Sequence, residues 1–161
     1  MGVKATDTIT EMTWIVMPGH CNALNTVFGG QVMSWIDVCA AIAAQRFCRS
    51  NVVTASMDQL HFTGPIYHGQ IAVVKAMVNW TGTTSMEVGV RVESEDPYTG
   101  ERKRTSTAYL TFVALDKEGN KTKVPELVRE TDLQRQRYRE AQQRREDRLA
   151  SRKRILAARA S

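Results

Sequence analysis

The chain has 161 residues, 42% of them hydrophobic and 24% charged, which fits one soluble domain and excludes a chain disordered throughout. Its net charge of +5 is unevenly placed: residues 1–125 hold eleven basic and eleven acidic side chains, and residues 126–161 hold eleven basic and six acidic ones. The body is neutral and the basicity belongs to the tail, so no nucleic-acid partner is expected for the folded domain.

The first ten residues, MGVKATDTIT, show no cationic start followed by an apolar stretch, and no run approaches a membrane span of about 18 apolar residues. A cytoplasmic location is expected. The three cysteines, Cys21, Cys39 and Cys48, match no metal spacing and read as free thiols. Residues 8–17 are β-branched and apolar and predict a strand, ended by Pro18-Gly19. Residues 18–30 form a loop rich in turn residues. Residues 31–48 hold good helix formers without Pro or Gly, apolar on most sides, and predict a helix buried nearly all round. Strands follow at 51–62, 70–81, 84–95 and 102–115, separated by short breaks that predict antiparallel hairpins. An antiparallel sheet wrapped around one central helix satisfies this order. Residues 126–158 turn to Glu, Arg and Gln with sparse apolar positions, and read as a solvated or fraying helix, with a partner helix or an RNA contact as the alternatives.

Asp37 is the only formal charge between Glu11 and Arg46. An unpaired buried carboxylate is costly, so this one is either satisfied by a hydrogen bond or pair, or faces a cleft as general base or nucleophile. Gln31, Ser34 and Asp37 recur every three residues and form one polar stripe on the helix. Gly29 and Gly30 precede it, where free N–H groups and the helix dipole suit an oxyanion; a steric need for tight helix entry explains them equally well. From Gly30 to Asp37 is about 10 Å of helix, more than one carbonyl can bridge. If both act in one reaction, they come from different copies of the chain, and a dimer with composite sites is expected.

The segment HCNALNTVFGGQVMSWID, residues 20–37, resembles the signature of the hotdog-fold acyl-CoA thioesterases, nearest to the YciA-like and brain-type acyl-CoA hydrolase group. Supporting matches are VVTASMDQLHF (52–62), Pro65-Ile66, Gly69, GTTSM (82–86), GER (100–102) and TFVALD (111–116). The resemblance implies an α+β hotdog domain over 1–125 and a charged helical tail over 126–161. It implies hydrolysis of fatty acyl-CoA to fatty acid and CoA, with CoA part of substrate and product and no separate cofactor. It further implies a dimer extended to a trimer of dimers. By resemblance, Asp37 is the catalytic acid, Asn22 orients water or thioester, and Gly29 and Gly30 supply backbone donors. Asn25 fits the pattern less consistently. Thr84 and Ser85 fall where pantetheine or phosphate is contacted, and Arg102 and Lys103 where nucleotide phosphates would lie.

Other candidates carry less. His20, His61 and His68 share no metal-ligand spacing. Cys39 lies on another helix face from Asp37. Trp35 and Trp80 read as packing residues. No GxSxG elbow, GxGxxG or Walker pattern occurs. Two competing functions remain: a hydratase or dehydratase acting on acyl thioesters, and a non-catalytic acyl-CoA or nucleotide sensor with a basic tail.

Overall fold

β-branched residues fit a pleated, half-buried surface, and the second half of this chain supplies them in four long runs. The computed structural model describes residues 1–161. Its elements are β1 (Val3–Lys4), β2 (Thr10–Ile15), α1 (Gly29–Cys48), β3 (Asn51–Phe62), β4 (Ile71–Thr81), β5 (Ser85–Glu95), β6 (Arg102–Leu115), β7 (Leu127–Val128) and α2 (Asp132–Ala160). Five strands form one antiparallel sheet in the order β2-β4-β5-β6-β3. Alternate side chains of each strand face the same way. Ala72, Val74, Ala76 and Val78 of β4 therefore join Met86, Val88, Val90 and Val92 of β5 and Ala108, Leu110, Phe112 and Ala114 of β6 in one core.

α1 lies on that surface. Ile36, Cys39, Ala40, Ala43 and Phe47 point into the core, and the small residues among them let the helix approach the sheet closely. Ile36 is wholly buried, which contributes about 2 kcal/mol. The expected burial on nearly every side is not found. Met33 and Val38 remain 42% and 45% exposed, and Ser34 is exposed beside them. One sheet covers one side of a helix; apolar composition alone does not show that the other side lacks a cover within the same chain.

α2 opens with a capping box, in which Gln134 N donates to Thr131 Oγ1 at 3.1 Å and Thr131 N to Gln134 Oε1 at 3.3 Å. Most of it is exposed, as its composition leads one to expect, but one face is anchored. It docks on the outer face of the sheet, opposite α1, with Ala141 buried. Arg144 donates to both carboxylate oxygens of Glu87, at 3.1 and 2.7 Å, and stacks 3.5 Å over the Tyr109 ring. Arg148 pairs with Asp58 at 2.8 Å. Beyond this anchored part, Ile155 and Leu156 are about half exposed. Elsewhere, β1 pairs in parallel with β7, and Lys4 pairs with Glu130 at 3.0 Å, so the first strand is laced to the segment just before α2. No helix is long and apolar enough to cross a membrane.

Candidate functional site

α1 and β3 are joined by a tight turn through Arg49, whose left-handed φ of 53° closes the helix. β3 thus runs back along α1. Thr54 of β3 reaches the helix, and its Oγ1 donates a 2.7 Å hydrogen bond to Asp37 Oδ1. A bulge directly after Thr54 breaks the register with β6, and bulges of this kind re-aim side chains. Asp37 is only partly buried, and no cation pairs with it. It sits on the uncovered face of α1 among Ser34, Met33 and Val38. The polar stripe expected from spacing is therefore open rather than enclosed, and the hydrogen bond and the accessible position coexist.

The N-terminus of α1 forms a second feature. Phe28 caps it without a side-chain hydrogen bond, and the N–H groups of Gly29 and Gly30 find no acceptor in the chain. Only Gly30 is tightly placed. A Cβ on Gly29 would stand 3.6 Å from the Phe62 ring, and one on Gly30 would stand 3.2 Å from the Phe28 ring. Gly29 borders a cleft of about 460 Å³, floored by Val27, Val32, Phe62, Pro65 and Ile66. The two readings of the Gly-Gly pair divide here: the steric one applies to Gly30, while Gly29 borders the cleft with its N–H unpaired.

Asn22 is engaged by its own loop. Its Oδ1 accepts from Leu24 N at 2.9 Å and Thr26 N at 3.3 Å, and its Nδ2 donates to Thr26 Oγ1 at 3.0 Å. Asn25 takes a left-handed φ of 59° in the same loop. No bond joins either residue to Asp37 within the chain.

The four positions expected to meet CoA divide into two places. Ser85 pairs with Val113, beside Val53, so Thr84 and Ser85 lie at the sheet end that carries Thr54 and Asp37. Arg102 and Lys103 open β6 at the opposite end, about 30 Å away along that strand. There Arg102 Nε donates to Glu95 Oε1 at 2.6 Å, a bond that holds the guanidinium charged above its ordinary range. Lys103 is exposed and unpaired. One chain does not bring the two pairs together.

Four residues near the site are structural. His20 Nδ1 accepts from Met17 N at 3.0 Å, and its ring meets the Trp35 ring edge-on, with Trp35 stacked 5.0 Å from Trp14. Cys39 is fully buried, and burial pushes its thiol up to about 12. A neutral thiol of that kind is no nucleophile. No group of three or more His, Cys, Asp or Glu side chains converges in metal-binding geometry. Thr54 and Phe62 escaped the sequence reading. The signal available was the close return of β3 along α1, which sets residues of the early strand against the middle of the helix.

Residues 24–101 match the family model described as Thioesterase superfamily. An uncharacterized acyl-CoA thioester hydrolase of Bacillus subtilis, YkhA, is 48% identical over 117 residues, which is 73% of this chain and 68% of that one. An acyl-CoA hydrolase of Staphylococcus aureus, solved with butyryl-CoA, CoA and CoA disulfide, is 36% identical with a TM-score of 0.90, covering 100% of both chains. A hexameric acyl-CoA thioesterase, solved in its apo form, is 37% identical with a TM-score of 0.90, over 94% of this chain and 97% of that one. The staphylococcal hydrolase has also been solved with one asparagine, one aspartate or one threonine replaced by alanine; in sequence these stand 15 and then 17 residues apart. Asn22, Asp37 and Thr54 have the same two spacings in this chain.

Proposed function

This chain belongs to the Thioesterase superfamily as an acyl-CoA thioester hydrolase, and from that premise we propose that Asp37, held by Thr54, drives the attack on the thioester. Water adds to the acyl carbonyl carbon, the C–S bond breaks, and the departing CoA thiolate takes up a proton, leaving a fatty acid and CoA. Asp37 either takes the proton from that water or attacks first to form an anhydride that water then opens. Thr54 fixes one carboxylate oxygen and leaves the other to react. The Gly29 and Gly30 amides receive the oxyanion, Asn22 orients water or thioester, and the cleft beside Phe62 takes the apolar chain. Nothing beyond water and the chain's own groups is needed, so we assign no separate cofactor.

The reaction centre is composite. Asp37 and the free amides of the same α1 are too far apart for one carbonyl, and the exposed face around Asp37 needs a partner. β3 pairs only with β6, so its outer edge is open, and Val53 and Phe62 lie 47% and 52% exposed on it. A second copy laid along β3 and α1 covers this surface and brings its own glycines towards Asp37. Three such dimers form the hexamer we assign, by similarity to the hexameric thioesterase. In that assembly Thr84 and Ser85 contact pantetheine, and Arg102 and Lys103 meet CoA phosphate from another subunit. Residues 1–125 form the catalytic domain, residues 126–161 the tail, and the location is cytoplasmic.

The observation that carries this reading is the Thr54–Asp37 hydrogen bond on an open helix face. Thiol release from butyryl- through palmitoyl-CoA tests it. Asp37→Asn should lower kcat at least about 100-fold with unchanged secondary structure, and Thr54→Ala should lower kcat less, by about tenfold, while Thr54→Ser retains activity. Asp37→Asn with the parent's turnover would remove Asp37 from the reaction.

A further inference from the structure

The outer face of the sheet, opposite α1, carries a cavity that the hydrolytic reading leaves unused. It measures about 280 Å³ and is floored by Met77, Gly89 and Val90, with Lys75, Arg91, Arg104 and Arg137 around it. Gly89 is the reason there is a hollow: a Cβ there would collide with the Asn79 amide. Asn79 stands at a register shift in β4, the extra residue between Val78 and Trp80 in their pairing with β5. Its side chain is turned over Gly89. The residue is only 6% exposed, and its carboxamide forms no hydrogen bond in the chain although it lines the cavity. That leaves the amide open to a ligand in the hollow.

The charges point the same way. Lys75 and Arg91 are directly opposed across β4 and β5, a placement that is unfavourable for like charges. Glu93 is the one acid between them, 3.2 Å from Lys75 Nζ and 3.7 Å from Arg91 Nε. Neither contact has hydrogen-bond geometry, and Arg91 Nε and Glu93 Oε1 are both buried without a hydrogen-bond partner. Arg104 and Arg137 have no ion-pair partner at all. Glu11 stands opposite Lys75 on β2, so four cations outnumber two acids, and with an open amide and the Tyr109 side chain they make a receptor for several negatively charged oxygens. Arginine forks and a carboxamide donor match phosphate geometry. The sheet separates this hollow from Asp37, so within one chain a ligand here does not touch the reacting thioester.

We propose that the Gly89 hollow binds a phosphate-bearing anion, held by Lys75, Arg91, Arg104 and Arg137 with Asn79 as a neutral donor. Two sources share this chemistry: a free phosphorylated effector, and the nucleotide phosphates of a CoA whose thioester lies in another subunit. Calorimetric titration of the full-length protein with pyrophosphate tests the site. The parent should bind, more weakly at high salt, and the Arg104→Gln/Arg137→Gln double variant should bind at least about tenfold more weakly. The Arg104→Lys/Arg137→Lys double variant, which keeps the charge on the rim, should retain most of the binding. Acyl-CoA kinetics separate the sources. An unchanged KM in the glutamine variant identifies a separate effector; a raised KM, with pyrophosphate competing against acyl-CoA, identifies the phosphates of CoA. No heat of binding with the parent at millimolar pyrophosphate, or equal affinity in parent and glutamine variant, overturns the proposal.

Discussion

At the scale of single residues, Asp37 and Cys39 show how two positions on one helix acquire opposite characters. Asp37 faces outward and has a hydroxyl to hold it. Cys39 points inward, where its thiol reaches only the carbonyls of Thr10 and Val74 at 3.6 Å. Burial raises the folded-state pKa of Cys39 from 9.0 to about 12. A raised value in the folded state favours the protonated form there, so this contribution to stability is complete below pH 9.0 and is lost as pH rises towards about 12. Thiol titration at neutral pH should detect Cys21 and Cys48 in the native protein and Cys39 only after denaturation; a native count of three would contradict the burial. Asp37 was legible in the sequence because an isolated charge in an apolar run is conspicuous. Thr54 was not, since a threonine in a strand reads as ordinary β-branched usage until its neighbour on the helix is known.

Among the elements, α2 departs furthest from its sequence pattern. Hydrophobic periodicity detects helices that dock through an apolar stripe, and α2 docks through guanidinium groups. Burial pulls the Arg144 pKa down, but the hydrogen bond and charge of Glu87 more than reverse it, so the pair stays ionised. The two side chains are only 11% and 4% exposed. Removing one partner from a buried pair costs about 3–5 kcal/mol, whereas replacing both by apolar groups is often neutral. Arg144→Met should therefore lower the melting temperature by about 10 °C, and the Glu87→Leu/Arg144→Met double variant should regain most of it. An unchanged melting temperature for the single variant would show that α2 is not anchored there. The strands, by contrast, were readable because alternation and short turns are local properties, and their bounds fall close to the runs of β-branched residues.

For the whole molecule, the apolar residues of α1 are informative in a way that local pattern obscures. The helix reads as buried on all sides, yet Met33 and Val38 lie uncovered on the chain's own surface. The fold of one chain accounts for only the sheet-facing half of that composition; the other half fits the second copy proposed above. The same holds for the proposed reaction centre, whose parts were each legible but whose union depends on an interface that no intrachain spacing encodes. Mixing and refolding inactive Asp37→Ala chains with inactive Asn22→Ala chains should restore a fraction of the parent's turnover if one site draws on two copies. Mixtures as inert as their components would place each site within one chain.

The lacing of β1 to β7 bears on how the molecule is made. Residues 3 and 4 are made long before their pairing partners, residues 127 and 128. β2 likewise waits for β4, some sixty residues later. The earlier strands therefore wait unpaired while the intervening residues are made, and the β1–β7 seam closes only once residues 127 and 128 have emerged.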